Sequence, residues 1–302
     1  MALVDRELNV SFSLAGGLTF AGSGAAKTYS GLRVSSKTVI TGSMSGGGQS
    51  QIAVFGMSLS DMNELSTLGM AVQKYNQNGV TLQAIDDHGT TEVFTGEIVQ
   101  CWPDMSASPE VCLQVVANIG QAAAGKPIPA TSYAGATDVA QILQTLAGQG
   151  GFTFENNGVS IKLSNPYFPG TLRQQIKEVI KAAGCYGTID ANNTLAIWNR
   201  SGSRNSAGNV SLSPTTGMVG YPAFFNQGIL VQSIYIPDAK PGGSLTISGS
   251  QLTSANGTYT IASVVHDLES QVLEGGKWFT TLQAYVGSAG QGFSNENVGA
   301  GQ

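Results

Sequence analysis

Glu7-Leu8-Asn9-Val10-Ser11-Phe12-Ser13-Leu14 is a stretch in which polar and apolar side chains alternate. A period of two is typical of a β-strand that buries one face and leaves the other in water. Similar stretches follow at short intervals and are separated by Gly, Ser and Asn clusters that favour turns. They span residues 31–41, 51–57, 80–85, 92–102 and 111–118. The sequence therefore predicts a first β region, over residues 1–122.

One helix is predicted inside this region, over residues 61–70. Asp61 is followed three residues later by a glutamate, which is the spacing of a capping box. Met62, Leu65 and Leu68 recur every three residues and form one apolar stripe. We expect this helix to pack against the β-structure and to contribute to an interface.

A small α+β domain is predicted next, over residues 123–204, after a linker rich in Ala, Gly and Pro. Thr137 is expected to cap a helix that ends at Gly148. Thr171 and Gln174 form a capping box for a second helix, which Gly184 terminates. The predicted strands are a hairpin of 151–154 with 159–163 and a pair of 186–189 with 194–198.

The β pattern returns in a last region, 205–288, before a polar tail over 289–302 that is expected to be flexible. Its predicted strands lie near 210–212, 228–236, 244–248, 257–266 and 277–287. The last two predicted strands of each β region are similar in sequence. In both regions a long strand is followed by a polar loop and then by a strand that contains a Leu-Gln pair, which begins at Leu113 in the first region and at Leu282 in the last. Either all antiparallel hairpins look similar or the chain holds two copies of one barrel-like unit. Three chains with two units each would present six units around an axis.

The composition favours a folded protein that is surrounded by partners. Of 302 residues only 11% are charged, against about 25% in an average soluble domain, and the formal net charge is -5. A hydrophobic share of 41% argues against disorder, and the absence of a basic cluster argues against a nucleic-acid binder. Interface cores are depleted of charge, so low charge suits a subunit with several neighbours.

The cysteines and the N-terminus predict a protein made in the cytoplasm. The three cysteines, Cys101, Cys112 and Cys185, lack metal-ligand spacing and are expected to be buried thiols, although Cys101 and Cys112 could pair across neighbouring strands. Two acidic residues lie at the N-terminus where a secretory signal carries positive charge, so no signal peptide is expected. No apolar run is long enough to cross a bilayer as a helix.

A search for chemistry predicts no catalytic, cofactor or metal site. Residues 22–28 are similar to the end of a phosphate-binding loop, but Ala precedes Lys27 and a strand is expected to follow. His88 and His266, the two histidines, are expected at the surface without a second ligand. Pairs of acids such as Glu97 with Asp104 are interpreted as solvated strand-end carboxylates.

Aromatic side chains near prolines form the remaining candidate site: Tyr167, Phe168, Tyr221, Phe224 and Phe225. Such residues can stack on sugars, and they also pack loops against a neighbouring chain.

Several runs resemble the baseplate hub proteins of tailed bacteriophages. In the first β region these are residues 31–43, 52–68 and 93–98, and in the last they are 212–222, 228–231 and 237–243. The resemblance covers nearly the whole chain through loose patterns. It implies a mainly β fold with α+β character, in which two tail-tube-like antiparallel β-barrel or sandwich domains flank the small α+β domain.

The resemblance also implies a structural virion protein and no enzyme. The expected assembly is a homotrimeric hub in the phage tail baseplate, which joins the hexameric tail tube to the spike or tail tip and surrounds the channel for DNA and the tape-measure protein. Its partners would be the tail-tube protein, the spike or tail-tip protein, the tape-measure protein and other baseplate proteins, without membrane insertion or sequence-specific contact to nucleic acid.

Candidate interface residues are Asp61, Met62, Leu65, Leu68, Tyr221, Phe224 and Phe225, together with the strands over 31–41 and 228–236. The alternative is a carbohydrate-binding adhesin or tail-fibre module, which would use the aromatic residues at 221–225. An intracellular hydrolase is the third possibility and would need a catalytic acid or histidine.

Overall fold

The computed structural model describes residues 6–286 except 17, 21–23, 43–46, 67–76, 88, 122–124, 201, 205–207, 226–227 and 274. The strands of the first β region are β1 (Glu7–Ser13), β2 (Ala26–Tyr29), β3 (Val34–Thr41), β4 (Gly48–Phe55), β5 (Gly79–Asp86), β6 (Gly89–Asp104) and β7 (Cys112–Asn118), with helix α1 (Leu59–Leu65) between β4 and β5. The middle region holds β8 (Thr131–Ser132), β9 (Ala136–Asp138), α2 (Val139–Gly150), β10 (Thr153–Asn157), β11 (Lys162–Ser164), β12 (Tyr167–Phe168), α3 (Leu172–Ala183), β13 (Tyr186–Ile189) and β14 (Thr194–Trp198). The last region holds β15 (Val210–Leu212), β16 (Met218–Phe225), β17 (Gly228–Ile234), β18 (Ser244–Ile247), a 3-10 turn (Thr253–Ala255), β19 (Gly257–Ser270) and β20 (Trp278–Tyr285).

One 13-stranded sheet unites the first and last β regions. Its path runs β16-β17-β20-β19-β3-β4-β7-β6-β5-β1-β2, with β18 attached to β19 and β15 attached to β18. Every neighbouring pair along that path is antiparallel. The junction is the pairing of Val34–Thr41 with residues 263–270 of β19. The mainly β fold with α+β character is therefore confirmed, and within the described residues the path ends at β16 and β2.

Two apolar clusters lie beneath this sheet. The larger one contains strands of the first β region, such as Phe12 and Phe94, together with Leu143 and Ile176 of the middle helices. The smaller one is confined to the last β region and includes Leu282. The predicted boundaries near 122 and 204 fall between β7 and β8 and between β14 and β15, and the division into three domains stays a prediction.

Helix α1 begins earlier than its sequence pattern predicts. Ser58 is the N-cap and its hydroxyl accepts a hydrogen bond from the backbone N–H of Asp61 at 3.2 Å. Asp61 therefore lies in the first turn, where its carboxylate accepts a hydrogen bond from Lys27 Nζ at 2.8 Å. The prediction of Asp61 as the cap is wrong, because the hydroxyl of Ser58, three residues earlier, caps the helix instead. Leu68 lies outside the described residues.

The middle region confirms one helix in detail and corrects the other. Thr171 and Gln174 form the predicted capping box of α3, and Gly184 ends that helix in the left-handed conformation. For α2, however, the cap is Asp138, whose carboxylate accepts a hydrogen bond from the backbone N–H of Ala140, and the helix continues to Gly150.

The predicted hairpin of 151–154 with 159–163 is wrong. Strand β10 pairs in parallel with β14, and β11 pairs with β9, so the two segments do not pair with each other. The Asn-Gly turn at 157–158 is present with a positive φ at Gly158, but tertiary pairing separates the strands that it joins. The predicted pair of β13 with β14 is confirmed.

Candidate interaction surfaces

An aromatic edge ends the sheet on the side of the last β region, and we define it by Tyr221, Phe224 and Phe225. These side chains are 60%, 59% and 40% exposed. They lie on β16, a strand that the sequence analysis missed because Gly220 and Pro222 interrupt its pattern. Between Val219 and Ala223 the register with β17 shifts, which is the irregularity expected where proline occupies an edge strand.

The aromatic edge continues onto the neighbouring strand β17. Leu230 and Ile234 point outward from that strand and are 42% and 46% exposed. The hydroxyl of Tyr221 donates a hydrogen bond to Gln251 Oε1 at 3.1 Å, which orients its ring. Contiguous exposed apolar side chains of this kind mark an interaction surface more often than solvent-exposed single residues do.

The strands predicted to form interfaces have both of their backbone edges paired. Strand β3 lies between β19 and β4, and β17 lies between β16 and β20. Neither strand can therefore extend the sheet into another chain by backbone hydrogen bonding, and only their outward side chains are free to contact a neighbour.

A groove of about 450 Å³ lies beside helix α1. Its apolar lining includes Met57, Leu59 and Met105, and Leu59 is 53% exposed. At its rim Arg33 contacts Glu110 Oε2 at 3.2 Å. Met62 also lines this groove, but Met62 and Leu65 are both buried in the core of the chain and stabilise the subunit. Their place in an interface stays a prediction.

Asp61, like Met62 and Leu65, is buried and makes its contacts within the subunit. Burial disfavours its ionised form, but hydrogen bonds from Lys27, Tyr29 and Ser58 outweigh that cost and lower the pKa of the carboxyl group. Lys27 is thus held by an ion pair on strand β2, and a strand rather than a helix follows the glycine-rich segment, as predicted.

The prediction of a surface position is wrong for His266. Its ring is only 3% exposed, lies within β19 and has Nδ1 at 3.0 Å from Thr280 Oγ1. The ring of Tyr235 packs edge-on against it at 5.2 Å. Burial lowers the pKa of His266 to about 4, so the imidazole is neutral near pH 7. His88 lies outside the described residues, which hold no cluster of three or more potential metal ligands.

The polar face is the outward surface of the large sheet, and the strand register defines it. One row crosses β6, β7, β4, β3, β19, β20 and β17 in order and consists of Glu97, Asn118, Gln49, Val39, Val265, Thr281 and Gln232. A second row contains Thr41, Ser263, Gln283 and Leu230. Glu97 is the one charged side chain among these eleven. Gln49 Nε2 donates to Asn118 Oδ1 at 3.2 Å, and Ser263 Oγ donates to Gln283 Oε1 at 3.2 Å.

The polar face continues across the junction of the two β regions without a break. In a third row Lys37 of β3 lies directly opposite Asp267 of β19, and in a fourth row Ser35 lies opposite Glu269. Lys277 also contacts Asp267 Oδ2 at 3.4 Å. Sequence reasoning missed this surface because the pairing of β3 with β19 joins residues more than 200 positions apart.

A buried ion cluster lies at the end of the middle region, and a backbone hydrogen bond from it reaches the last β region. Arg204 is 3% exposed, and its Nη2 lies 2.6 Å from Glu155 Oε2 and 2.7 Å from Asp190 Oδ2. Its backbone N–H donates to Gly242 O at 2.6 Å. No sequence spacing could have predicted this cluster, since its three members come from separate elements.

The cysteines are buried free thiols, as predicted. Cys101 lies opposite Val115 on β7, and Cys112 lies opposite Asp104 on β6, so the two sulfurs do not face each other. Burial raises the pKa of Cys101 to about 12 and that of Cys185 to about 11, which keeps both thiols protonated and unreactive. Among the described residues, no helix is long and apolar enough to cross a membrane.

Comparison with known proteins places this architecture among phage tail proteins. The model of the family described as "Baseplate hub gp41" matches residues 23–281. The fold is similar to the 43 kDa tail protein of prophage MuSo2 from Shewanella oneidensis, with a TM-score of 0.61, 12% identity and coverage of 94% of this chain and 97% of that one. No curated protein sequence matches the chain.

Two further solved structures share the fold. A tail protein from Neisseria meningitidis MC58 has a TM-score of 0.58 at 10% identity and covers 93% of this chain and 96% of its own. The E. coli c3393 protein, a component of the type VI secretion system, has a TM-score of 0.53 at 10% identity, over 94% of this chain and 74% of that one. The family match extends through both β regions and the α+β region between them. The chain therefore belongs to the baseplate hub gp41 family and is a structural protein of the phage tail baseplate.

Proposed function

We propose that the chain forms a homotrimeric hub that joins the tail tube to the spike or tail tip and surrounds the channel for DNA and the tape-measure protein. The observation that carries this proposal is the single sheet that passes through both β regions by way of β3 and β19. One subunit thereby presents two β regions side by side, and three subunits present six, which suits contact with a hexameric tube.

The aromatic edge is the subunit contact in this proposal. Interface cores are enriched in Tyr and Phe and depleted of charge, which matches Tyr221, Phe224 and Phe225. Leu230 and Ile234 of the neighbouring strand add exposed apolar side chains next to this edge. The groove beside α1, with exposed Leu59, is a second apolar surface for a tube, spike or other baseplate protein.

Light scattering of the purified chain across a concentration series tests the trimer. A plateau at three times the chain mass of 31.1 kDa, about 93 kDa, is expected for the wild type. Replacement of Phe224 and Phe225 by serine should reduce this mass toward that of the monomer. Leu273→Ser is the matched control, because Leu273 is fully exposed in a loop away from the aromatic edge and its loss should leave the trimer intact.

A wild-type mass of 31.1 kDa at every concentration, unchanged when the cognate tail-tube protein is added, would refute the hub proposal. The exposure of Tyr221 and Phe224 would then favour the carbohydrate-binding alternative. A glycan-binding screen of the wild type beside a Tyr221→Ala variant distinguishes that function, since a sugar-stacking ring is lost in the variant.

A further inference from the structure

We propose that the groove beside α1 binds an amphipathic helical segment of another baseplate protein, with the apolar side of that segment in the groove and a basic side chain beside the carboxylates at its rim. The inference rests on the proposed function, which makes the partner a baseplate protein. It adds the kind of segment that the groove selects and the chemistry of the selection.

The groove is formed where four parts of the chain meet. Its lining comes from the end of β4, from helix α1, from the loop between β6 and β7 and from the loop before β3. Met57 and Met62 are almost completely buried and form its floor. Leu59 and Met105 are about half exposed and stand at its sides. The result is an apolar trough that is open along its length.

The shape and the chemistry of the trough suit a segment of protein. Its volume of about 450 Å³ is comparable to that of small-molecule sites, but such sites enclose most of their ligand. Here the half-exposed Leu59 and Met105 leave the sides open, so a chain segment can lie across them. Three of the lining side chains are methionines, which are unbranched and adapt to apolar partners of different shape.

The strands that reach the groove favour a helical partner over an extended one. Strand β4 lies between β3 and β7, and β7 lies between β4 and β6, so both are paired on each side. An extended segment could not add to either of them by backbone hydrogen bonding. Binding therefore depends on side chains, as when an amphipathic helix places apolar residues from successive turns into a groove.

The charged groups at the rim determine the sign of charge that the partner carries. The guanidinium of Arg33 lies over the Phe55 ring at 4.4 Å, and its Nη1 is 3.2 Å from Glu110 Oε2. Asp104 directly precedes a lining residue, and hydrogen bonds from the side chain and backbone of Ser106 lower the pKa of its carboxyl group. These two carboxylates exceed the one cation, which complements a basic side chain.

The apolar contacts and the carboxylates have different roles in this binding. Exposed ion pairs contribute little to affinity, and they act mainly on the choice between partners. Burial of Leu59 and Met105 beneath the partner removes apolar surface from water and provides most of the affinity. The carboxylates then favour a basic amphipathic segment over an acidic one.

Fluorescence anisotropy of the purified chain with labelled synthetic peptides tests the inference. The probe is a peptide of about four helical turns, with leucines on one side and lysines on the other. One comparison peptide replaces the lysines by glutamates. The other has the composition of the probe in a scrambled order, so that its leucines do not share a side.

Four variants of the chain locate the binding. Leu59→Ser and Met105→Ser remove the two sides of the groove, and Asp104→Asn removes a carboxylate and keeps an acceptor for Ser106. Leu252→Ser is the matched control, because Leu252 is an exposed apolar residue in the turn between β18 and β19 and does not line the groove.

We expect the probe to bind the wild type with a micromolar Kd, and both comparison peptides to bind about tenfold more weakly or less. Leu59→Ser and Met105→Ser should each weaken probe binding about tenfold. Asp104→Asn should weaken it about threefold at low salt and hardly at high salt, because exposed charges are screened. Leu252→Ser should bind as the wild type does.

Probe binding that is unchanged in Leu59→Ser and Met105→Ser would overturn the inference, as would equally tight binding of the scrambled peptide. Urea unfolding shows whether the variants are folded, and Met105→Ser, which lies in a loop, decides the test if Leu59→Ser destabilises α1.

Light scattering of the same proteins separates this inference from the proposed function. The groove variants should keep the trimer mass of about 93 kDa, three times 31.1 kDa. A fall to 31.1 kDa in these variants alone would overturn the inference, since the groove would then be a subunit contact. A wild type that is monomeric at every concentration would refute the hub role, whatever the peptides show.

Discussion

Buried His266 should make the stability of the protein depend on pH between pH 7 and pH 4. Its native pKa is lowered to about 4, while an exposed histidine in the unfolded chain titrates near 6.5. Because the unfolded chain binds the proton more readily, the contribution of His266 to stability is complete above pH 6.5 and is lost as the pH falls toward 4. The difference corresponds to about 3 kcal/mol of unfolding free energy between pH 7 and pH 4.

The low pKa of His266 arises from its immediate surroundings, and substitution of the histidine removes the titrating group. The imidazole contacts Thr280 Oγ1 at 3.0 Å and the edge of the Tyr235 ring, so a proton on it would be placed in a poorly solvated site. His266→Asn keeps a polar group near Thr280 and removes the titration. Its stability at pH 7 should be lower than that of the wild type, because an asparagine fills the site less well.

Urea unfolding of the two proteins at half-unit steps from pH 7 to pH 4 measures the effect. Acid-induced losses that arise from carboxylates occur in both proteins and cancel in the difference between their midpoints. We expect the wild type to lose its advantage over His266→Asn progressively below pH 6.5. Parallel pH profiles of the two proteins over this range would refute the assignment of a neutral, poorly solvated imidazole.

Three further substitutions test the interior. Arg204→Ala leaves the carboxylates of Glu155 and Asp190 without their buried cation and should cost about 3–5 kcal/mol in urea unfolding, and a loss below 1 kcal/mol would contradict the ion cluster. Ser58→Ala removes the cap of α1 and should cost about 1 kcal/mol, whereas the same change at exposed Ser211 should be neutral. Leu282→Ala opens a cavity in the smaller core cluster and should cost about 2–5 kcal/mol, and wild-type stability would show that this cluster is not packed as described.

The most local features of the fold were predictable from the chain alone. The capping box of Thr171 and Gln174 and the stop at Gly184 involve neighbours within one helix, so the sequence contains all of their partners. The long strands β5, β6 and β7 were also predictable, because alternation along a strand reflects burial of one face.

Predictions failed where a distant contact outweighed a local preference. The segment after Asn157-Gly158 was expected to fold back as a hairpin, but β10 obtains its hydrogen bonds from β14 and β11 obtains its own from β9. His266 was expected at the surface because the predicted strand ends at this residue, but β19 continues to Ser270 and the ring is buried. In both cases the deciding partner is remote in sequence.

For the candidate surfaces, too, the residues could be predicted from the sequence but their exposure could not. The aromatic residues at 221–225 could be chosen from the sequence because large rings beside a proline are evident in any reading of it. Their exposure depends on β16 ending the sheet, which only the tertiary structure decides.

By itself, the sequence determined a mainly β protein with a small α+β region, low charge and a resemblance to phage hubs, because composition and periodicity are properties of the chain. The tertiary structure alone decided that β3 pairs with β19, that Arg204 joins Glu155 and Asp190, and which side chains share the polar face. The physical reason is that these features depend on the register between strands distant in sequence, and a shift of one residue would turn every side chain of a strand to the opposite face.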